Sequence, residues 1–335
     1  MVTSQTYPSY FPTKSWRTAP TDPRLIDPRL LASLDGIVAK RFAMITGLLV
    51  IRHGYILYER YHRDMAASRM VELYAMTQSV VGSVLGIALT QGAFLSLDEK
   101  LGDLLPDYFT PAADPRAKTI TLRHLLSMTS GFEWDARRQE MLFYRVQHVA
   151  DVLNKPLAHD PGAVFSYDGC NAQVLSHVFN NVTGLSVLQA AAGALFEPLG
   201  ITSYVWPQDD RGFSQSWAGL ELTLRDMAKI GYLHLRRGAW DGQQLVAADY
   251  IRAATTAQTA GGYPAKTPFG YLWWVSRERG HSAFYALGFG GKTLVVVPAL
   301  DLLVVVMADD SLDSDHINQP RLLISDHIIP AIPAG

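Results

Sequence analysis

The chain has 335 residues, enough for one large domain or two intimately packed lobes. Apolar residues make up 48% and charged residues 18%, the balance of a globular protein with a sizeable core. The net charge of -2 comes with no basic face or tail, which sets nucleic-acid binding aside; the single Cys170 excludes an internal disulfide, and no Cys/His cluster has metal-ligand spacing.

Residues 1–30 are rich in Pro, Ser, Thr and Arg and read as an irregular arm. The N-terminus holds no continuous apolar stretch, so no secretory signal is expected and the chain reads as cytoplasmic, although a chain trimmed of its signal would read the same. "DPRLLASLDGIVAKRF" (27–42) has apolar residues at helical spacing, with Asp27 placed as N-cap and Pro28 at the first helical position. "ITGLLVIRHGYILYERYH" (45–62) predicts a strand pair that turns at His53-Gly54. "SVVGSVLGIALTQG" (79–92) predicts a buried helix, apolar on nearly all sides, in which Gly82, Ser83, Gly86 and Ala88 allow close packing.

Further helices are predicted over 119–131 with a stop at Gly131, over 171–184, over 186–200 and over 223–238. From about residue 267 the pattern changes to consecutive strands punctuated by Gly and Pro. The apolar run at 293–308 is broken by Pro298 and Asp301 and is too short to span a bilayer, so no membrane partner is expected. Strands at both ends with helices between them predict an α+β architecture. One antiparallel sheet flanked by helices is built from residues 1–65 and 235–335, and a mostly helical lobe, 66–234, is inserted in it. A cleft between the two is the expected ligand site, holding a small molecule and no cofactor or metal.

Six strings carry a resemblance: "AMTQSVVGSVLGIALTQGAFLSLDEKLGDLLPDY", "ITLRHLLSMTSGFEW", "FSYDGCNAQVLSHVFNNVTG", "LTLRDMAKIGYLHLRRGAWDGQQLV", "FGYLWWV" and "GFGGKTLVVVPALDLLVVV". In this order and spacing the chain resembles the serine β-lactamase and penicillin-binding-protein family. It is most similar to the branch that holds class C β-lactamases, β-lactamase-fold esterases and 6-aminohexanoate-dimer hydrolases. The resemblance implies a Ser at the start of the nucleophile helix and a Lys three residues on, which share one helix face. It also implies a Tyr that moves a proton, a basic-x-Gly strand motif and two backbone amides that hold the oxyanion.

Carried over, the match is partial. Ala75 stands at the nucleophile and Gln78 at its lysine, so covalent serine catalysis at this helix is not expected. Tyr167 falls at the family's tyrosine, Gly288 at the strand glycine, Phe289 at the second oxyanion amide, and Ala286 at the basic position; Gly169 stands where Asn is common. Ser79 lies one turn after Ala75, but without a following lysine it reads better as a hydroxyl bonded back to its own helix. Cys170 reads as a small buried hydrophobe and Thr77 as packing. His53 and His281 read as structural. Trp134, Phe132, Trp273 and Trp274 divide between core and cleft, with one of the paired tryptophans facing each way and Trp274 taken for the cleft. Lys292 reads as a rim residue, and "GGKT" lacks the spacing of a phosphate loop.

Three readings follow. One is a repurposed enzyme that uses Tyr167 and the oxyanion amides for non-covalent acid/base chemistry of isomerase, cyclase, lyase or addition type. The second is a ligand-binding protein without catalysis. The third is an ester or amide hydrolase inactivated by substitution at two positions. In all three the expected site comprises Tyr167, Gln78 and Ala75, with Phe289, Gly288, Ser79, Trp134 and Trp274 around the ligand.

Overall fold

A computed structural model describes residues 10–19, 22–134, 146–312 and 316–333. Its centre is a nine-stranded sheet in the order β1-β3-β2-β13-β12-β11-β10-β9-β8. The N-terminal strands are β1 (Arg17–Thr18), β2 (Ile45–Arg52) and β3 (Tyr55–Tyr61). The C-terminal ones are β8 (Thr259–Gly262), β9 (Thr267–Phe269), β10 (Trp274–Glu278), β11 (His281–Leu287), β12 (Thr293–Val297) and β13 (Leu302–Ala308). Both ends of the chain therefore build one α+β sheet, as expected, and it closes where β13 pairs with β2. The pairing is antiparallel except at one edge, where the short β1 runs parallel to β3, so the sheet is mixed.

The central strands read as unbroken apolar runs because they are covered on both faces: every residue of β12 and β13 is buried. The helix Leu224–Leu235 lies on this part of the sheet. A Cβ on Gly231 would fall 2.6 Å from the Leu303 side chain and 2.9 Å from that of Leu294, so this glycine sets the depth of contact. The β2–β3 hairpin turns at His53 and Gly54, both at positive φ (51° and 83°), as a two-residue turn of the sheet's twist requires. Helix Pro28–Arg41 starts as predicted, with Asp27 accepting the Arg29 amide.

The helix Met76–Thr90 is buried from Met76 to Ala88. A Cβ on Gly86 would lie 2.5 Å from the Tyr250 ring, and the Tyr250 hydroxyl donates to the Gly82 carbonyl at 2.6 Å. The small residues of this helix thus admit a neighbour against its backbone. The segment 119–131 is helical only over Leu122–Leu126, where Thr121 and His124 form a capping box. Met128 then takes a left-handed φ of 57° and turns the chain away. The stretch 186–200 is not one regular helix: it widens to a π turn over Ala192–Phe196. Pro198 is the cause, since it lacks an amide and its ring displaces the carbonyl four residues back. Among the described residues, no single helix is long and apolar enough to cross a membrane.

Candidate active site

A two-stranded ribbon leads into the site. β4 (Val71–Glu72) pairs antiparallel with β5 (Glu221–Leu222), placing Glu72 directly opposite Glu221. The Leu73 amide extends the ribbon by donating to Leu220 at 2.8 Å. Tyr74 then takes a left-handed φ of 50°, a strained conformation for a residue with a Cβ, and swings the chain from strand into helix. Ala75 is the N-cap of Met76–Thr90, with no side-chain cap. The amides of Met76, Thr77 and Gln78 close a tight first turn onto the carbonyls of Leu73, Tyr74 and Ala75.

The end of β11 meets this turn. Gly288 is extended, and a Cβ there would lie 2.5 Å from the Leu73 carbonyl oxygen and 3.3 Å from Met76. Only glycine permits this approach, which brings the Phe289 backbone to the helix start. Among the described residues, neither the Ala75 amide nor the Phe289 amide has a hydrogen-bond partner. Both residues line a cavity of about 520 Å³. Gln78, Trp134, Tyr167 and Gly288 line it too, so six of the eight expected site residues come together.

The other two do not reach the cavity wall. Ser79 is buried, and its hydroxyl donates to the Leu272 carbonyl at 2.5 Å rather than back to its own helix. Trp274 is 2% exposed and lies behind Tyr167, ring centroids 5.2 Å apart. Trp273, expected to face the opposite way, is equally buried against His234 and Phe284. Trp273 precedes β10, in a bend where Leu272 takes a left-handed φ of 57°, so strand alternation does not apply to the pair. Cys170 and Phe132 are core residues, and the Thr77 hydroxyl accepts the Leu220 amide. His53 is held by Asp301 at the hairpin turn. Gln215, Trp217, Ala218, Leu287, Gly288 and Phe289 supply wall, and residues 135–145 lie outside the described residues.

The wall also includes residues that sequence reasoning missed: Glu72, Tyr74, Trp217 and Tyr263. Burial raises the Glu72 carboxyl above its ordinary range, and the facing Glu221 and nearby Asp310 add to that, while Lys292 and the Gly219 amide oppose it. Burial also raises the Tyr167 phenol well above its ordinary value, so it stays protonated and donates. Lys292 is buried behind the wall: its Nζ lies 2.5 Å from Asp310 and 4.6 Å from the centre of the Tyr74 ring. The Tyr74 hydroxyl donates to the same carboxylate at 2.8 Å. Gln78 Nε2 donates to the Trp217 carbonyl at 3.1 Å, which fixes the amide's orientation and leaves Oε1 buried with no partner among the described residues. Among the described residues, no group of three or more His, Cys, Asp or Glu is placed to hold a metal ion.

The β-lactamase family model matches residues 35–325, and the chain belongs to that family. It is similar to the 6-aminohexanoate-dimer hydrolase of Paenarthrobacter ureafaciens, 22% identical over 292 residues, 78% of this chain and 71% of that protein. It also resembles an uncharacterised protein of Alkalihalophilus pseudofirmus, 24% identical over 275 residues, 72% of this chain and 74% of the relative. Among solved structures, EstCE1, described as a hydrolase with promiscuous acyltransferase activity, superposes with a TM-score of 0.71 at 18% identity, covering 89% of this chain and 98% of its own. The octameric penicillin-binding protein homologue of Pyrococcus abyssi does so with a TM-score of 0.68 at 16% identity, covering 88% and 76%. At these identities the superpositions establish a shared fold.

Proposed function

We propose that this β-lactamase-family chain is an enzyme that acts on a carbonyl-containing small molecule without an acyl-serine intermediate. One observation carries the reading: no Ser, Thr, Cys or Lys stands among the described residues lining the cavity, yet two unpartnered amides, a protonated phenol and a carboxylate do. The substrate carbonyl accepts from the amides of Ala75 and Phe289, near the positive end of the Met76–Thr90 helix. Tyr167 donates a further hydrogen bond. Glu72 takes a proton from the carbon next to the carbonyl; that C–H electron pair moves into an enolate whose oxygen the amides hold. Return of the proton at another carbon gives isomerisation, and loss of a leaving group gives elimination.

A second reading has the same base. Glu72 would deprotonate a water that cleaves an ester or amide, and the hydrolase names of the relatives favour this.

The test follows α-deuterium exchange of small ketones, esters and amides in heavy water by NMR, beside cleavage of a short-chain p-nitrophenyl ester. Native protein is expected to exchange deuterium, and Glu72→Gln to lose about a hundredfold of that rate. Ester cleavage without exchange moves the assignment to the water reading. Absence of both, with Ala75→Ser/Gln78→Lys forming an acyl-enzyme visible by intact mass, overturns the proposal in favour of a switched-off serine hydrolase.

A further inference from the structure

The charge and lining of the cavity define a ligand class. Among the described residues that line it, Glu72 is the only one with a formal charge at neutral pH; no Lys, Arg or His is present. Its ribbon partner Glu221 is a second carboxylate opposite it, and Asp310 is a third nearby. Like charges facing each other across a ribbon destabilise it. The cation close by, Lys292, is ion-paired with Asp310 behind the wall, and it lowers the Glu72 carboxyl less than Glu221 raises it. The field at this wall is therefore negative, in a chain whose overall net charge is only -2.

The rest of the wall is aromatic: Tyr74, Trp134, Tyr167, Trp217, Tyr263 and Phe289. Aromatic faces attract ammonium groups, more so when water is excluded. The protein uses this device itself, since the Lys292 ammonium is held by one carboxylate and the face of Tyr74. An independent feature agrees. Gln78 is 4% exposed, lines the same cavity, and its Oε1 is an acceptor with no donor among the described residues. A buried acceptor left unmatched in the free protein calls for a donor.

We infer that this cavity recognises a ligand bearing an alkylammonium group, seated between the Glu72 carboxylate and the aromatic wall, so that the substrate class is a ketone, ester or amide with a cationic arm. This rests on the proposal that the cavity is the reaction site, but its test reads binding and needs no turnover. Failure of binding therefore removes the ammonium class and leaves the acid/base chemistry standing.

The experiment titrates native protein with three isosteres, choline, 3,3-dimethylbutan-1-ol and 3,3-dimethylbutyrate, followed by tryptophan fluorescence and calorimetry. Choline is expected to bind at least about tenfold more tightly than the neutral alcohol, with the carboxylate weakest. Glu72→Gln is expected to remove about tenfold of the choline affinity and leave the alcohol unchanged. Trp217→Leu serves as a second variant that tests the aromatic wall without touching the carboxylate, and it too should weaken choline selectively. Equal binding of choline and the alcohol, tightest binding of the carboxylate, or no binding of any of the three at millimolar concentration overturns the inference.

Discussion

The two walls of the cavity are built in opposite ways. On the helix wall, the side chains that look chemical are absorbed by the fold: Ser79 is bonded to Leu272, Thr77 to Leu220, and Ala75 carries no functional group. On the ribbon wall, Glu72 faces Glu221, and Tyr74 holds a left-handed φ beside an ammonium that it shares with Asp310. Strain and like-charge repulsion persist only where the surrounding structure enforces them, and they gather at working sites. This difference supports the proposal that the chemistry lies on the ribbon, three residues before the position where the family resemblance directs attention.

The sharpest way to break that contrast is to remove one group from each wall. Glu72→Gln should reduce turnover by about a hundredfold, because it deletes the proton acceptor and keeps the shape. Ser79→Ala should leave turnover within about threefold and cost about 1 kcal/mol of stability, the value of one buried hydrogen bond. Steady-state kinetics and denaturant midpoints read both, and a dead Ser79→Ala with a fully active Glu72→Gln would return the chemistry to the helix. Next in size is Gly288→Ala. Its Cβ would collide with the Leu73 carbonyl oxygen at 2.5 Å, and because that oxygen belongs to the backbone, either β11 or the helix start must move. The expected cost is about 2 kcal/mol in the denaturant midpoint, together with loss of function. Native stability in this variant would show that the junction of the walls is slack.

Much of the frame was legible because its signals are local. The Val/Leu runs of β12 and β13, the His53-Gly54 turn, the Asp27-Pro28 start and Gly184 in a left-handed φ of 72° after Thr183 each follow from near neighbours in the chain. Of the site, Ala75, Gln78, Tyr167, Gly288 and Phe289 were reached through motif positions. Glu72 was not, although it stands only three residues before Ala75. Its character comes from Glu221, 149 residues later in the chain, and no spacing rule reports that pairing. The two tryptophans of "YLWW" misled for a different reason: alternation assigns faces only within a strand, and β10 begins at Trp274, so Trp273 is placed by the bend before it and both rings are buried.

The smaller effects concern pH, where the walls should respond with opposite sign. Behind the helix wall, His234 is buried, with its ring nitrogens 3.0 Å from the Ile230 carbonyl and 3.5 Å from the Ser83 hydroxyl. Burial pushes its pKa down to about 4 from 6.5. A depressed base favours the fold above its unfolded pKa, and that stability is lost as pH falls from about 6.5 through about 4. Near pH 5 the loss is about 2 kcal/mol, and His234→Gln should flatten it in melts recorded from pH 7 to 5.

Glu72 runs the other way. Its folded pKa is raised above the ordinary 4.5, chiefly by burial and then by Glu221, with Asp310 adding and Lys292 and the Gly219 amide opposing. The unfolded chain ionises first, so the native state is penalised as pH rises past the ordinary carboxyl range toward the raised value. Glu72→Gln removes the charge and keeps the volume. The variant should therefore melt higher than native protein at pH 7, and the two should converge near pH 4, where both are neutral at this position. A ribbon carboxylate kept for chemistry or for cation binding leaves this signature: the substitution that removes function raises stability. A Glu72→Gln that melts lower at pH 7 would show instead that the carboxylate is a structural partner of Lys292, and the contrast between the walls would lose its electrostatic basis.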